Sequence, residues 1–185
     1  MKRNFSMALF YAALGSCTPV YIPPPTLSSS IKQISTPAET QQWLNTVLAY
    51  ESDPTQYDKE DFWAPCGLTY NSRKGDCEDY AICAATILRE DVEEGYIIVI
   101  NNPKEENAHA VFAYRMDGKW GAVSNNPSEF SQPEYLSLHG LLISYFSKDY
   151  TEYRIYNYEG IDLIDGNENL EVKLKLKGKY VLGLY

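Results

Sequence analysis

The stretch Gly75-Asp76-Cys77-Glu78-Asp79-Tyr80-Ala81 constrains this chain most. A glycine and an aspartate lead directly into a cysteine. Behind it, Ala81, Ile82, Ala84, Ala85, Ile87 and Leu88 have helical spacing and favourable helix propensity. Asp76 suits an N-cap, so Cys77 would open a helix running to about residue 89. A sulfur at that place lies beside unsatisfied backbone N–H groups and the positive end of the helix dipole. Both favour the thiolate, the nucleophilic form of cysteine. Glu78 and Asp79 oppose it with negative charge, and a cationic partner would relieve that conflict. The chain offers only two histidines, His109 and His139. The competing reading, a buried structural cysteine, suits Cys83 better, because Cys83 lies amid alanine and isoleucine.

The flanking segments give an α+β domain, a nucleophile helix packed on an antiparallel sheet. Thr36-Pro37-Ala38-Glu39 reads as a capping box with proline at the first helical position, predicting a helix over 37–50. Residues 54–72 read as an irregular loop beside the nucleophile helix. Trp63 there reads as core packing, with a groove wall as the lesser alternative. Tyr96 to Ile100 is apolar and rich in β-branched residues, as expected of a strand. Ala108 to Tyr114 and Lys119 to Ser124 read as two more strands, joined by an Asp117-Gly118 turn. Gln132 to Phe146 reads as a helix and Tyr153 to Tyr158 as a strand. Leu170 to Leu176 and Tyr180 to Leu184 read as a C-terminal hairpin with lysines on its outer face.

The cysteine stretch resembles the nucleophile motif of bacterial transglutaminase-like cysteine peptidases, within the papain-like transglutaminase superfamily. Asp61-Phe62-Trp63-Ala64-Pro65 is similar to the tryptophan–proline segment that precedes that motif, and His109-Ala110-Val111 resembles the histidine motif. The resemblance implies Cys77 as nucleophile and His109 as base, in the order Cys, His, then Asn or Asp. The family's third member is usually an aspartate at the end of the next strand. Here that strand ends in Ser124-Asn125-Asn126. Asn125 is the expected third member, since its amide oxygen can accept from imidazole. Ser124, which stands where counting puts the aspartate, is the alternative. His139 matches no motif and reads as structural or exposed.

The reaction implied is cleavage of an amide bond in a protein or peptide through a Cys77 thioester, without a cofactor. In some relatives acidic residues near the nucleophile bind calcium. Asp76 and Glu78 are the candidates here, although calcium takes about six to eight oxygens. Transamidation through the same thioester is an alternative. So are a weak or inactive domain acting as an envelope binding module and a purely structural lipoprotein.

Residues 1–16 read as a signal peptide, with Lys2 and Arg3 before a short apolar run. Leu14-Gly15-Ser16-Cys17 resembles a bacterial lipobox, implying lipid on Cys17 and attachment to a membrane of the cell envelope. Thr18 after it resembles the outer-membrane sorting pattern of a Gram-negative cell. Residues 17–35, with Pro23-Pro24-Pro25 and Ser28-Ser29-Ser30, read as a flexible tether, and 36–185 as the catalytic domain. Without Cys17, the cysteines are Cys66, Cys77 and Cys83. An envelope compartment permits disulfides. Pairing of Cys66 with Cys83 leaves Cys77 free; pairing through Cys77 would abolish catalysis.

The net charge of −9 argues against nucleic acid as partner and favours a basic or neutral substrate; with the implied anchor, the expected partner is an envelope protein or peptide. Sixteen tyrosines are numerous for 185 residues and suit half-buried strand positions or an exposed groove.

Overall fold

The computed structural model describes residues 26–102, 107–146 and 152–181. The expected signal peptide and Cys17 lie outside them. In chain order the helices and strands begin with α1 (Leu27–Ile31), α2 (Pro37–Val47), β1 (Ala49–Tyr50), α3 (Asp53–Gln56) and α4 (Cys66–Ser72). They continue with β2 (Lys74–Gly75), α5 (Cys77–Leu88), β3 (Glu94–Asn102), β4 (Asn107–Met116) and β5 (Lys119–Val123). The last are β6 (Ser131–Tyr135), α6 (Leu138–Leu141), β7 (Glu152–Asn157) and β8 (Lys175–Val181).

Six strands form one antiparallel sheet in the order β6-β5-β4-β3-β7-β8. The α+β architecture therefore stands. Helix α5 lies on this sheet, packed against β4 and β3, and α2 and α4 pack against it as well. Ala81, Ile82, Cys83, Ala84, Ala85 and Leu88 are consequently all buried. Packed this way, α5 is apolar nearly all round rather than on one stripe. The sheet's other face carries a second cluster, including Ile98, Val111, Trp120 and Ile155, closed by Leu141, Leu142 and Phe146.

The capping box at α2 forms. The Thr36 hydroxyl accepts from the Glu39 N–H at 3.3 Å, and the Glu39 carboxylate accepts from the Thr36 N–H at 3.2 Å. A disulfide joins Cys66 to Cys83, tying α4 to α5 and leaving Cys77 free. The short β1 and β2 pair in parallel, with Tyr50 opposite Gly75. That pairing brings Tyr50 next to the start of α5.

Several sequence expectations are corrected. Residues 26–35, part of the expected tether, include helix α1. Within the expected tether, Leu27 is buried and the Ser30 hydroxyl is 2.7 Å from that of Tyr70. The segment 54–72 is not one loop, because α3 and α4 form within it. The helix expected over 132–146 is instead β6, the single turn α6 and a wide helical turn at Leu142–Phe146. Strand β6 includes Pro133, which is tolerated because β6 is an edge strand. Of the expected C-terminal hairpin, residues 182–184 lie outside the described residues; within them the segment forms a 3₁₀ turn at Leu170–Val172 and β8, which pairs with β7. Leu170 is drawn into the core, and its N–H bonds the Trp63 carbonyl at 2.9 Å.

Candidate active site

Cys77 is the first residue of α5 and is half-buried. Asp76 holds the N-cap position, as the sequence implied, but its side chain does not cap the helix. One of its carboxylate oxygens, Oδ1, is buried without a hydrogen bond. The Cys77 thiol donates to Glu78 Oε2 at 3.1 Å. Burial, and then the negative charge of Glu78, push the thiol well above its ordinary pKa. The helix N-terminus alone therefore does not make Cys77 a thiolate, and the conflict read from the sequence is real.

His109 lies near the start of β4, opposite Ile100 of β3. Cys77 and His109 line one cleft of about 260 Å³, together with Tyr50, Asp61, Trp63 and Arg154. The cleft continues past His109 to Asn125, Asn126 and Glu129. Trp63 satisfies both of its sequence readings. It is 3% exposed, its ring packs edge-on against Tyr156, and it also borders the cleft.

The expectation for the third position needs correction. The amide oxygen of Asn125 is buried and accepts no hydrogen bond, so it does not hold the imidazole. His109 Nε2 lies 2.9 Å from Ser124 Oγ and 2.7 Å from Glu129 Oε2. Ser124 Oγ in turn donates to Glu129 Oε2 at 2.8 Å and accepts from the Asn126 N–H at 3.1 Å. Gln41 of α2 fixes the Ser124 backbone from behind: its amide NH₂ donates to the Ser124 carbonyl at 2.6 Å, and its oxygen accepts from the Ser124 N–H at 3.1 Å. Ser124 is 1% exposed. Sequence reading missed both Gln41 and Glu129. Glu129 ends a 3₁₀ turn (Pro127–Glu129) whose start is capped by Asn126, with the Asn126 side chain accepting from the Ser128 N–H. The Asn-Pro pair signalled that turn, but not which side chain it would deliver.

His139 lies away from this cleft. It lines an apolar cavity with Leu138, Leu142 and Tyr153, and its Nδ1 is 3.4 Å from the Tyr153 hydroxyl.

Beside Cys77 the chain gathers acidic groups from three segments. Asp53, Asp76 and Asp79 form one set able to offer oxygens within 4.8 Å of one another, and Asp53, Asp61 and Glu78 form a second. The sequence candidates Asp76 and Glu78 thus fall into a larger group. Asp53 and Asp79 are 2% and 0% exposed. Each is partly held by backbone: Asp53 accepts from the Phe62 N–H, and Asp79 Oδ1 accepts from the Ala64 N–H at 2.8 Å. Gly75 is required for this closeness, because a Cβ there would stand 2.7 Å from Asp79 Oδ2. Burial, reinforced by the neighbouring charges, raises the Asp53 pKa to about 6, Asp79 to about 8 and Glu78 to about 10, and it raises Asp76 as well. Asp53 Oδ1, Asp76 Oδ1 and Asp79 Oδ2 are all buried without partners. Several buried carboxylates with unused oxygens make a hard-cation donor set, so these residues fit calcium.

Three similar solved structures are forms of one protein. Legionella pneumophila LapG aligns at 18% identity with a TM-score of 0.48, covering 71% of this chain and 68% of that one. The EGTA-treated form of the same protein gives 16% and 0.46, covering 76% and 70%; the calcium-bound form gives 19% and 0.47, covering 72% and 71%. No curated protein matches the sequence. The sequence pattern of one family, described as the transglutaminase-like domain, matches residues 26–156. That span holds α5, β4, β5 and every residue of the cleft described above, and this chain belongs to the transglutaminase-like domain family.

Proposed function

We propose that this protein is a thiol hydrolase that cleaves an amide bond in a protein or peptide through a thioester on Cys77. The observation carrying this reading is a free cysteine at a helix start and a histidine on the adjoining sheet, both opening into one cleft. His109 removes the thiol proton as the sulfur attacks the substrate carbonyl, and it returns that proton to the leaving amine. The Cys77 backbone N–H lies at the unpaired end of α5 and stabilises the oxyanion. Water then attacks the thioester, with His109 as general base. Transamidation differs only in the acceptor, an amine replacing water.

The acidic group is the place for a cation, and calcium is the ion that suits it. Asp53, Asp61, Asp76, Glu78 and Asp79 are the residues to hold it. Bound there, calcium supplies positive charge to carboxylates that otherwise stay partly protonated.

A second reading has a specific observation in its favour. The raised thiol and the Glu78 carboxylate on it suit a domain that binds without cleaving. Incubation with bacterial envelope extract in calcium, followed by mapping of new protein N-termini, separates the two. The hydrolase gives discrete new termini that Cys77→Ala does not. Covalent amine incorporation without new termini indicates transamidation. Neither product from wild type would leave the binding module standing.

The protein is further proposed to be lipid-anchored in the cell envelope through Cys17, on the strength of Leu14-Gly15-Ser16-Cys17. Among the described residues no helix is long and apolar enough to cross a membrane. Cys17→Ser should move the protein from the membrane fraction to the soluble one, or block its processing. Unchanged fractionation and migration would refute the anchor.

A further inference from the structure

We propose that Glu129 is the positioning residue for His109, replacing from the following turn the aspartate that Ser124 displaces, with Ser124 as its hydrogen-bonded relay. This inference rests on the hydrolase reading for its kinetic consequences, but its geometry is independent of that reading.

The argument begins with which atom can donate. An ionised carboxylate only accepts hydrogen bonds. Glu129 is 24% exposed. Burial by itself would raise its pKa, but the hydrogen bond and charge of His109, with the bonds from Ser124 and Asn126, outweigh burial and hold it below the ordinary range. Glu129 is therefore ionised near neutrality. With Glu129 Oε2 only 2.7 Å from His109 Nε2, that nitrogen carries the ring proton. With the proton on Nε2, the ring lone pair lies on Nδ1, the nitrogen that acts as base in the hydrolase reading.

A serine alone would do this poorly. Its hydroxyl can donate as readily as accept, so it tolerates either imidazole tautomer and adds no charge. Here its freedom is removed. Ser124 Oγ spends its proton on Glu129 and accepts from the Asn126 N–H, while Gln41 clamps its backbone. The hydroxyl therefore presents only acceptor capacity to the ring. Serine and glutamate together supply what one aspartate supplies elsewhere: a fixed acceptor and a negative charge to stabilise the imidazolium. Residues 124 to 129 deliver both groups because the 3₁₀ turn folds Glu129 back over the end of β5.

Two measurements test this. The first uses the Cys77→Ala protein, which performs no chemistry, and reads the ¹⁵N-NMR signals of the His109 ring. The expected pattern is one tautomer with the proton on Nε2, changing to a mixture when Glu129→Gln is added. The second is kinetic and uses full-length protein with intact Cys77. Glu129→Ala should lower kcat by roughly 10²–10⁴-fold with KM changed little, because the charge matters mainly in the transition state. Ser124→Asp introduced into Glu129→Ala should recover at least about tenfold of that loss, since it returns the carboxylate to the family position. A purely structural role for Glu129 predicts no such rescue and a circular-dichroism melt that falls with activity. The proposal is overturned if Glu129→Gln leaves the ring signals unchanged, or if Glu129→Ala keeps full turnover. If wild type proves to have no activity, the hydrolase reading fails, and the NMR arm still decides the role of Glu129.

Discussion

Cys77→Ala and His109→Ala should each reduce turnover by at least about 10⁴-fold, and the double variant should be no worse than the poorer single one. The reason is that thiol and imidazole act as one unit. Without His109 the thiol faces Glu78 alone, and burial keeps it protonated. Without Cys77 the imidazole has nothing to activate. A variant retaining ordinary turnover would place the chemistry elsewhere. Single-turnover cleavage of a peptide spanning one of the mapped N-termini measures both changes. Alkylation by iodoacetamide gives a check that needs no substrate. Among the described residues Cys77 is the free cysteine, so peptide mapping should find the adduct there. His109→Ala should slow its formation at neutral pH, since the thiol loses the base that takes its proton. An unaltered labelling rate would mean that the two side chains do not communicate.

The nucleophile helix was legible because its signals agree at every level. Helix formers, an acidic first turn and a cysteine at the opening all point to the same structure, and α5 starts at Cys77. Helix α2 was legible for the same reason, through the Thr36–Glu39 box. The central strands β3, β4 and β5 were legible from their β-branched, apolar runs. Elements at the edge of the sheet were not. The segment 131–146 contains leucines at spacings that also suit a helix. What decides its fold is the unpaired edge of β5, which takes Ser131–Tyr135 as a strand. That partner is invisible from local sequence. The C-terminal segment failed similarly, because β8 pairs with β7 and not with its own neighbouring residues.

At the site the same division holds. Cys77 and His109 sit on regular elements, where period and capping locate a side chain. Glu129 sits in a turn, where one change in turn type re-aims it entirely. Counting along the strand does lead to Ser124, and Ser124 is where His109 points. The Asn125 expectation failed because it weighed amide chemistry against a lone hydroxyl, without the carboxylate that completes the hydroxyl. In the sequence Asp61 reads only as part of the tryptophan segment and Asp79 only as a charge opposing the thiolate, and no local pattern singles out Asp53. Tertiary packing brings all three to the cysteine, through the backbone bonds at Phe62 and Ala64.

In chelator, the domain should lose stability steadily as pH rises from about 4 to about 9. An ordinary carboxyl in the unfolded chain releases its proton near pH 4. In the folded protein Asp53 holds its proton to about pH 6, Asp79 to about 8 and Glu78 to about 10, first through burial and then through mutual repulsion. Between those values the folded state binds more protons than the unfolded one. Stability must then fall with increasing pH, the reverse of what salt-bridged carboxylates produce. Calcium should oppose this most strongly at the alkaline end, where the carboxylates are free to bind it. At a hundredfold excess over Kd, binding adds about 2.7 kcal/mol, which for a domain of this size is a rise in Tm of roughly 5–10 °C. At pH 5 protons compete for the same oxygens, so the rise should be much smaller. Asp79→Asn retains an acceptor for the Ala64 N–H but removes one charge, and it should flatten the pH slope while weakening the calcium response. Differential scanning calorimetry at pH 5 and pH 8, with EGTA or calcium, reads all of this. A calcium-induced rise equal at both pH values, or one reproduced in full by magnesium, would mean that the ion binds elsewhere. A chelated protein more stable at pH 8 than at pH 5 would mean that the cluster is already ionised and compensated.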